Sequence, residues 1–285
     1  MKTRVISGIL VVAITMALVW SGGLVLTIGL MITASIGFVE MTKALGVRGS
    51  SDKLHVLELL GILSTAFFYI LIWLGMPKEH LILYVLLMLP FFMAITVFTY
   101  PKNKTEQAIK AYFSFVYVTV MLGFILLTRN FTAPGSLDKE GSFYNTGFFA
   151  AWMIFISAWG SDTCAYFAGV ALGKHKAFPK LSPKKSVEGC IGGVVGSGIF
   201  GLLYAMILNG VGRGFPGMYW VFPLLGVAGS IIGQIGDLSA SAIKRDMKIK
   251  DYGYVIPGHG GILDRFDSII FTAPMIYLLV ILFIS

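Results

Sequence analysis

His80 to Thr99 reads HLILYVLLMLPFFMAITVFT, twenty residues without a single Asp, Glu, Lys or Arg. As a helix rising 1.5 Å per residue, such a run spans about 30 Å, the thickness of a bilayer's hydrocarbon core. Nothing in it alternates apolar with polar, as a membrane β-strand would. Eight similar stretches accompany it, so that nine apolar runs cover about 5–21, 23–41, 55–75, 80–99, 109–128, 146–172, 189–209, 218–242 and 266–284. Ser21-Gly22-Gly23 divides the first two. Lys2 and Arg4 ahead of the first run imitate a signal peptide, but no small-residue cleavage site followed by a polar domain comes after it, so it reads as a span.

The composition of the 285 residues agrees: 56% are hydrophobic, 13% are charged and the mean hydropathy is +0.84. A soluble chain carries about 25% charged residues. The expected fold class is therefore an all-α polytopic integral membrane protein of about nine transmembrane helices. A disordered chain, a secreted disulfide scaffold and a basic nucleic-acid-binding surface are excluded, and no nucleic-acid partner is expected. Cys164 and Cys190 lie in apolar, glycine-rich stretches and read as small packing residues.

The net charge of +8 is unevenly spread. With a cytoplasmic N-terminus, nine spans put 18 of the 22 Lys and Arg on the inner side and leave Lys78, Arg129, Lys139 and Arg213 outside. That is the asymmetry of the positive-inside rule. Residues 1–145 read as an N-terminal scaffold of about five helices. Residues 146–285 read as a catalytic region of about four helices with cytoplasmic loops at 173–188 and 244–265. Small residues recur every fourth position at Gly189, Gly193, Ser197 and Gly201, and again at Gly229 and Gly233, a spacing that lets membrane helices approach closely.

Polar residues within such spans are expensive and mark candidate sites. Asp162 lies in the sixth span and Asp237 in the eighth. Ser230, Gln234, Asp237, Ser241 and Lys244 or Arg245 share one helical face of the eighth span, which would line a hydrophilic cavity open to the cytosol. Beyond it, Pro257-Gly258-His259-Gly260-Gly261 suits close backbone approach to phosphate oxygens. Asp264 and Asp267 follow, three apart, and with Asp237 would form an oxygen-rich site suited to Mg²⁺. Lys184 and Lys185 precede a helix N-terminus near Ser186, a place that favours phosphate. His55 and His80 sit at span edges and read as interfacial or packing residues, and Glu58 reads as locally paired.

From Ser241 to Asp267 the chain reads SAIKRDMKIKDYGYVIPGHGGILDRFD. This stretch resembles the signature of the phosphatidate cytidylyltransferase (CDP-diacylglycerol synthase) family: a Ser, Lys-Arg, Lys-Asp, Pro, His-Gly-Gly and Asp-Arg-x-Asp in fixed spacing. Ser161-Asp162-Thr163, Ser182-Pro183-Lys184-Lys185-Ser186 and Gly236-Asp237 also resemble it. The likeness is strong over about 155–267. Cys164 and Val187 depart from the usual residues there without removing a charged or ligating group. The resemblance implies transfer of the cytidylyl group of CTP to phosphatidate, at a site facing the cytoplasm, with Mg²⁺ and room for a second cation. It implies metal binding by Asp237 and Asp264, with Asp162 and Asp267 as further candidates. Lys184, Lys185, Lys244 and Arg245 would bind phosphates, with Ser241, Gly260, Gly261 and Arg265 completing the substrate set. His259 would orient a phosphate, assist proton transfer or shape the loop. Rival readings are a proton-coupled membrane transporter and a CTP-dependent lipid kinase. The small-residue faces also admit a homodimer.

Overall fold

Each apolar run becomes a helix that stops where glycine, proline or charge interrupts it. The structure is a computed structural model and describes residues 2–49, 53–132, 146–213, 217–258 and 260–284. Among the described residues it forms nine helices: α1 (Lys2–Ser21), α2 (Gly23–Ala44), α3 (Val56–Trp73), α4 (Lys78–Thr99), α5 (Thr105–Arg129), α6 (Thr146–Leu172), α7 (Val187–Gly210), α8 (Met218–Asp246) and α9 (Leu263–Ile284). The first two separate at Gly22 and Gly23, whose φ angles of 62° and 48° break the helical path. Helix α5 carries a π-helical segment at Phe115–Val120.

Seven helices are long and apolar enough to cross a membrane, so this is an integral membrane protein in build. The described apolar part of α1, Ile6–Ser21, is shorter. Helix α6, diluted by Ser157, Gly160, Ser161, Asp162 and Thr163, is not among the seven. Sequence patterning located all nine helices. It did not anticipate that the 173–188 loop contains an antiparallel hairpin, β1 (Lys176–Phe178) with β2 (Ser182–Ser186), pairing Lys176 with Ser186 and Phe178 with Ser182.

The chain divides into two compact units: residues 1–127 with 246–266, and residues 128–245 with 267–285. In the first, Phe38, Leu57, Phe92 and Phe115 are wholly buried. Glu58, also wholly buried, accepts from Arg48 Nε at 2.7 Å, Thr42 Oγ1 at 2.7 Å and the His55 N–H at 2.8 Å. A carboxylate so enclosed needs this full set of partners. The local pairing expected for Glu58 is therefore present, and His55 caps α3 while meeting Asn103 Oδ1 at 2.8 Å.

In the second unit the glycine ladders are contact surfaces. A Cβ on Gly193 would stand 2.9 Å from the Ser161 carbonyl of α6, and one on Gly201 would stand 2.3 Å from the Phe222 carbonyl of α8. Ser197 Oγ donates to the Gly226 carbonyl at 2.9 Å, and a Cβ on Gly226 would stand 2.3 Å from the Ser197 carbonyl. On the other side of α8, a Cβ on Gly236 would meet the Asp267 carbonyl at 2.7 Å. Cys164 Sγ fills the space opposite Gly196, the packing role read from the sequence. Because backbone faces backbone, Gly226→Val is expected to force α7 and α8 apart and destabilise the fold by about 1–3 kcal/mol, the usual cost of overpacking. Thermal unfolding in detergent checks this; an unchanged melting temperature would contradict the packing.

Candidate active site

Strand β2 delivers Lys184 and Lys185 directly to the start of α7, where Ser186 is the cap and accepts the Gly189 N–H at 3.2 Å. Glu188, in the first turn, folds back to accept the N–H groups of Lys174 and His175 at 3.1 and 3.3 Å and to meet His175 Nδ1 at 2.6 Å. The hairpin is thereby tied to α7, and the two lysines hold a fixed place. Glycine makes the approach possible, since a Cβ on Gly189 would stand 2.8 Å from the Ala165 carbonyl of α6.

Lys185 Nζ reaches across to Asp237 Oδ2 on α8 at 2.6 Å, with 23% and 27% of the two side chains exposed. Apart from that ion pair, this buried ammonium has no hydrogen-bond acceptor among the described residues. It keeps donors for an anionic ligand. Asp162 from α6 and Asp267 from α9 stand within electrostatic reach of Asp237; Lys185 offsets Asp162 and Lys244 offsets Asp267. One Asp267 oxygen also accepts the Ser268 N–H at 2.8 Å. A cavity of about 400 Å³ opens here, lined by Asp162, Tyr166, Lys184, Lys185, Gly189 and Gln234.

The polar stripe of α8 divides its work. Ser230 and Gln234 join helices: Ser230 Oγ meets Ser161 Oγ at 2.7 Å, and Gln234 Nε2 donates to the Cys190 carbonyl at 3.1 Å. Asp237 and Lys244 belong to the charged cluster. Ser241 is half-buried on the same helix and Arg245 is exposed.

In the first unit, the loop before α9 is folded around two carboxylates. Asp264 Oδ2 accepts the N–H groups of Tyr252 at 2.9 Å and Gly261 at 3.0 Å. The Ile256 N–H donates to the Gly260 carbonyl at 2.9 Å, and Gly260 has φ of 86°, a conformation open to glycine. Glu40 of α2 accepts the Ile262 and Leu263 N–H groups at 3.1 and 3.0 Å, satisfying donors that the N-terminus of α9 would otherwise leave unpaired. Gly253 and Gly261 lie so close that a Cβ on either would come within 2.6 Å of Glu40 Oε1. Arg265 is exposed, and His259 lies outside the described residues.

The contacts thus unite Asp162, Asp237, Asp267, Lys184, Lys185 and Lys244 of the proposed set, while the described bonds of Asp264 run to loop backbone. Glu40 was missed in the sequence, although an acid near the end of the second span satisfies the same rule that singled out Asp162 and Asp237. As to metal, no group of three or more His, Cys, Asp or Glu among the described residues stands close enough to hold an ion. Mg²⁺ is usually bound by one or two carboxylates together with substrate phosphates. Asp237 together with one neighbouring carboxylate would suit this mode, with the remaining ligands coming from substrate phosphate oxygens.

The cytidylyltransferase family profile matches residues 2–283 of the chain. A Bacillus subtilis (strain 168) protein named phosphatidate cytidylyltransferase is 30% identical over 99% of this chain and 98% of its own length. Proteins of the same name from Synechocystis and from Staphylococcus aureus (strain COL) are each 32% identical, covering 98% and 99% of this chain and 96% and 99% of their own. With a family match running almost end to end and full-length relatives at this identity, the chain belongs to the cytidylyltransferase family.

Proposed function

We propose that the chain transfers the cytidylyl group of CTP to phosphatidate, giving CDP-diacylglycerol for phospholipid synthesis and releasing pyrophosphate. The observation that carries this reading is the cavity of the second unit. There Lys185, paired with Asp237, retains donors for phosphate beside Lys184, with Asp162 on the same cavity wall. Family membership supplies the chemistry to test.

In this reading a phosphatidate oxygen attacks the α-phosphorus of CTP; the new P–O bond forms as the bond to the β-phosphate oxygen breaks, and pyrophosphate leaves. No protein nucleophile is needed. The residues act by holding two anions together and offsetting their mutual repulsion. Lys184 and Lys185, fixed by the hairpin and the Ser186 cap, take phosphate oxygens from one side. Lys244 and Arg245 supply positive charge from the end of α8. Asp237, with one of Asp162 or Asp267, would hold Mg²⁺ together with substrate phosphate oxygens, and Asp264 organises the glycine-rich loop. Bound there, a divalent cation would neutralise phosphate charge and orient the leaving group. The 18-to-4 division of basic residues supports a cytoplasmic N-terminus and an active site facing the cytosol, where CTP is found.

Purified protein given CTP, phosphatidate and Mg²⁺ is expected to release one pyrophosphate for each CDP-diacylglycerol formed. Release of CDP would assign a CTP-dependent lipid kinase instead, and absence of either product would overturn both enzyme readings.

A further inference from the structure

Next to the polar cavity runs a second hollow of different character. It is a groove of about 350 Å³ between α7 and α8, walled by Ile191, Val195, Ile231, Ile235 and Leu238, with Phe178 of the hairpin at its edge. Cys190 and Gln234 line both hollows, so cavity and groove adjoin on either side of that pair. Gln234 is held in that shared wall by its bond to the Cys190 carbonyl. Ile191 and Val195 are 59% and 54% exposed and Ile231 and Ile235 are each 46% exposed, so the groove is open along its length.

We propose that this groove seats an acyl chain of phosphatidate, whose phosphate enters the neighbouring lysine-lined cavity. The inference rests on the reading of that cavity as the phosphatidate site. Adjacency and charge together select the occupant. A ligand that uses both hollows needs an anionic head for Lys184 and Lys185 and an apolar tail that passes the Gln234 edge into the groove. Along α8, Ile231 to Leu238 extends about 10 Å at 1.5 Å per residue, which accommodates the chain segment nearest the head. Lipid tails are as apolar as Ile or Leu, so moving a tail from bilayer to groove gains little hydrophobic free energy. The groove therefore acts by orientation, holding the phosphate at the depth of the Lys185–Asp237 pair instead of leaving it to drift along the bilayer surface.

Two measurements test this. In the first, full-length protein in nanodiscs is photolysed with a phosphatidate carrying a diazirine near the carbonyl end of one chain. Labelling is expected on peptides containing Ile191–Val195 and Ile231–Leu238, suppressed by excess unlabelled phosphatidate and not by phosphatidylcholine. Equal suppression by both lipids, or labelling elsewhere, would overturn the proposal by making the groove an ordinary lipid-facing surface. In the second, Val195→Trp and Ile235→Trp fill the groove, while Leu203→Trp places the same bulk on an exposed part of α7 outside it. The groove variants should raise KM for phosphatidate about tenfold with KM for CTP unchanged, as expected when a substrate is misplaced and not lost; the control should match the unsubstituted protein. Groove variants indistinguishable from the control would contradict the proposal. Should the unsubstituted protein transfer no cytidylyl group, the activity fails while phosphatidate-specific labelling of the groove still stands or falls by itself.

Discussion

Asp237→Asn is expected to lower cytidylyl transfer by at least about 100-fold, the scale of losing one preorganised charged group at a reacting centre. Asp237 occupies the middle of the charged cluster: Lys185 contacts it at 2.6 Å, and both Asp162 and Asp267 sense its charge. Asparagine keeps the shape and removes the charge. Two consequences follow from that single change. The ammonium of Lys185 loses its counter-charge and is no longer held in place for phosphate. The donor set for a divalent cation also loses its central carboxylate, leaving Asp162 and Asp267. Because both side chains of the pair remain about a quarter exposed, water takes up part of the lost interaction and the fold is expected to survive. Pyrophosphate release measured beside a size-exclusion profile checks both halves. Activity within threefold of the unsubstituted protein would contradict the role given to Asp237.

Glu40→Ala is the second large effect, and it reads on stability first. Glu40 is 6% exposed and is the acceptor for both the Ile262 and Leu263 N–H groups. Alanine leaves two buried donors unmatched at a helix N-terminus, each costing about 1–3 kcal/mol. It also opens the space that excludes any side chain at Gly253 and Gly261. The two together make a loss of about 2–6 kcal/mol, which corresponds to a fall in melting temperature of at least ~4 °C. Glu40→Gln retains one acceptor oxygen for two donors and should fall between. Turnover should decline with the loop, since Gly261 bonds to Asp264 in the same turn. A Glu40→Ala protein that melts like the unsubstituted one would show that the loop is held by something else.

Helix placement was readable because the bilayer imposes one length and one polarity on every span, and the interruptions at Gly22 and Ser186 are local signals. The face of α8 bearing Gln234, Asp237 and Lys244 was readable for the same reason, as helical periodicity alone sets it. What faces that stripe was not. Whether Gln234 bonds to a neighbouring carbonyl or points into a cavity depends on α7, more than forty residues away. The hairpin was hidden because Lys176–Phe178 and Ser182–Ser186 are too short to show alternation, and Glu188 holds that region by folding back on it. Glu40 was visible as a costly acid in a span, yet its partners lie 222 and 223 residues later in the chain. A one-dimensional pattern can flag such a residue as needing partners without naming them.

Cytidylyl transfer and phosphoryl transfer differ in which phosphorus of CTP reaches the lipid. Two parallel reactions with purified protein, phosphatidate and Mg²⁺, one with CTP labelled at the α-phosphate and one at the γ-phosphate, decide it. Cytidylyl transfer predicts lipid-extractable label from the α position alone, with all of the γ label recovered as pyrophosphate. Label entering the lipid from the γ position, or from neither, would contradict it.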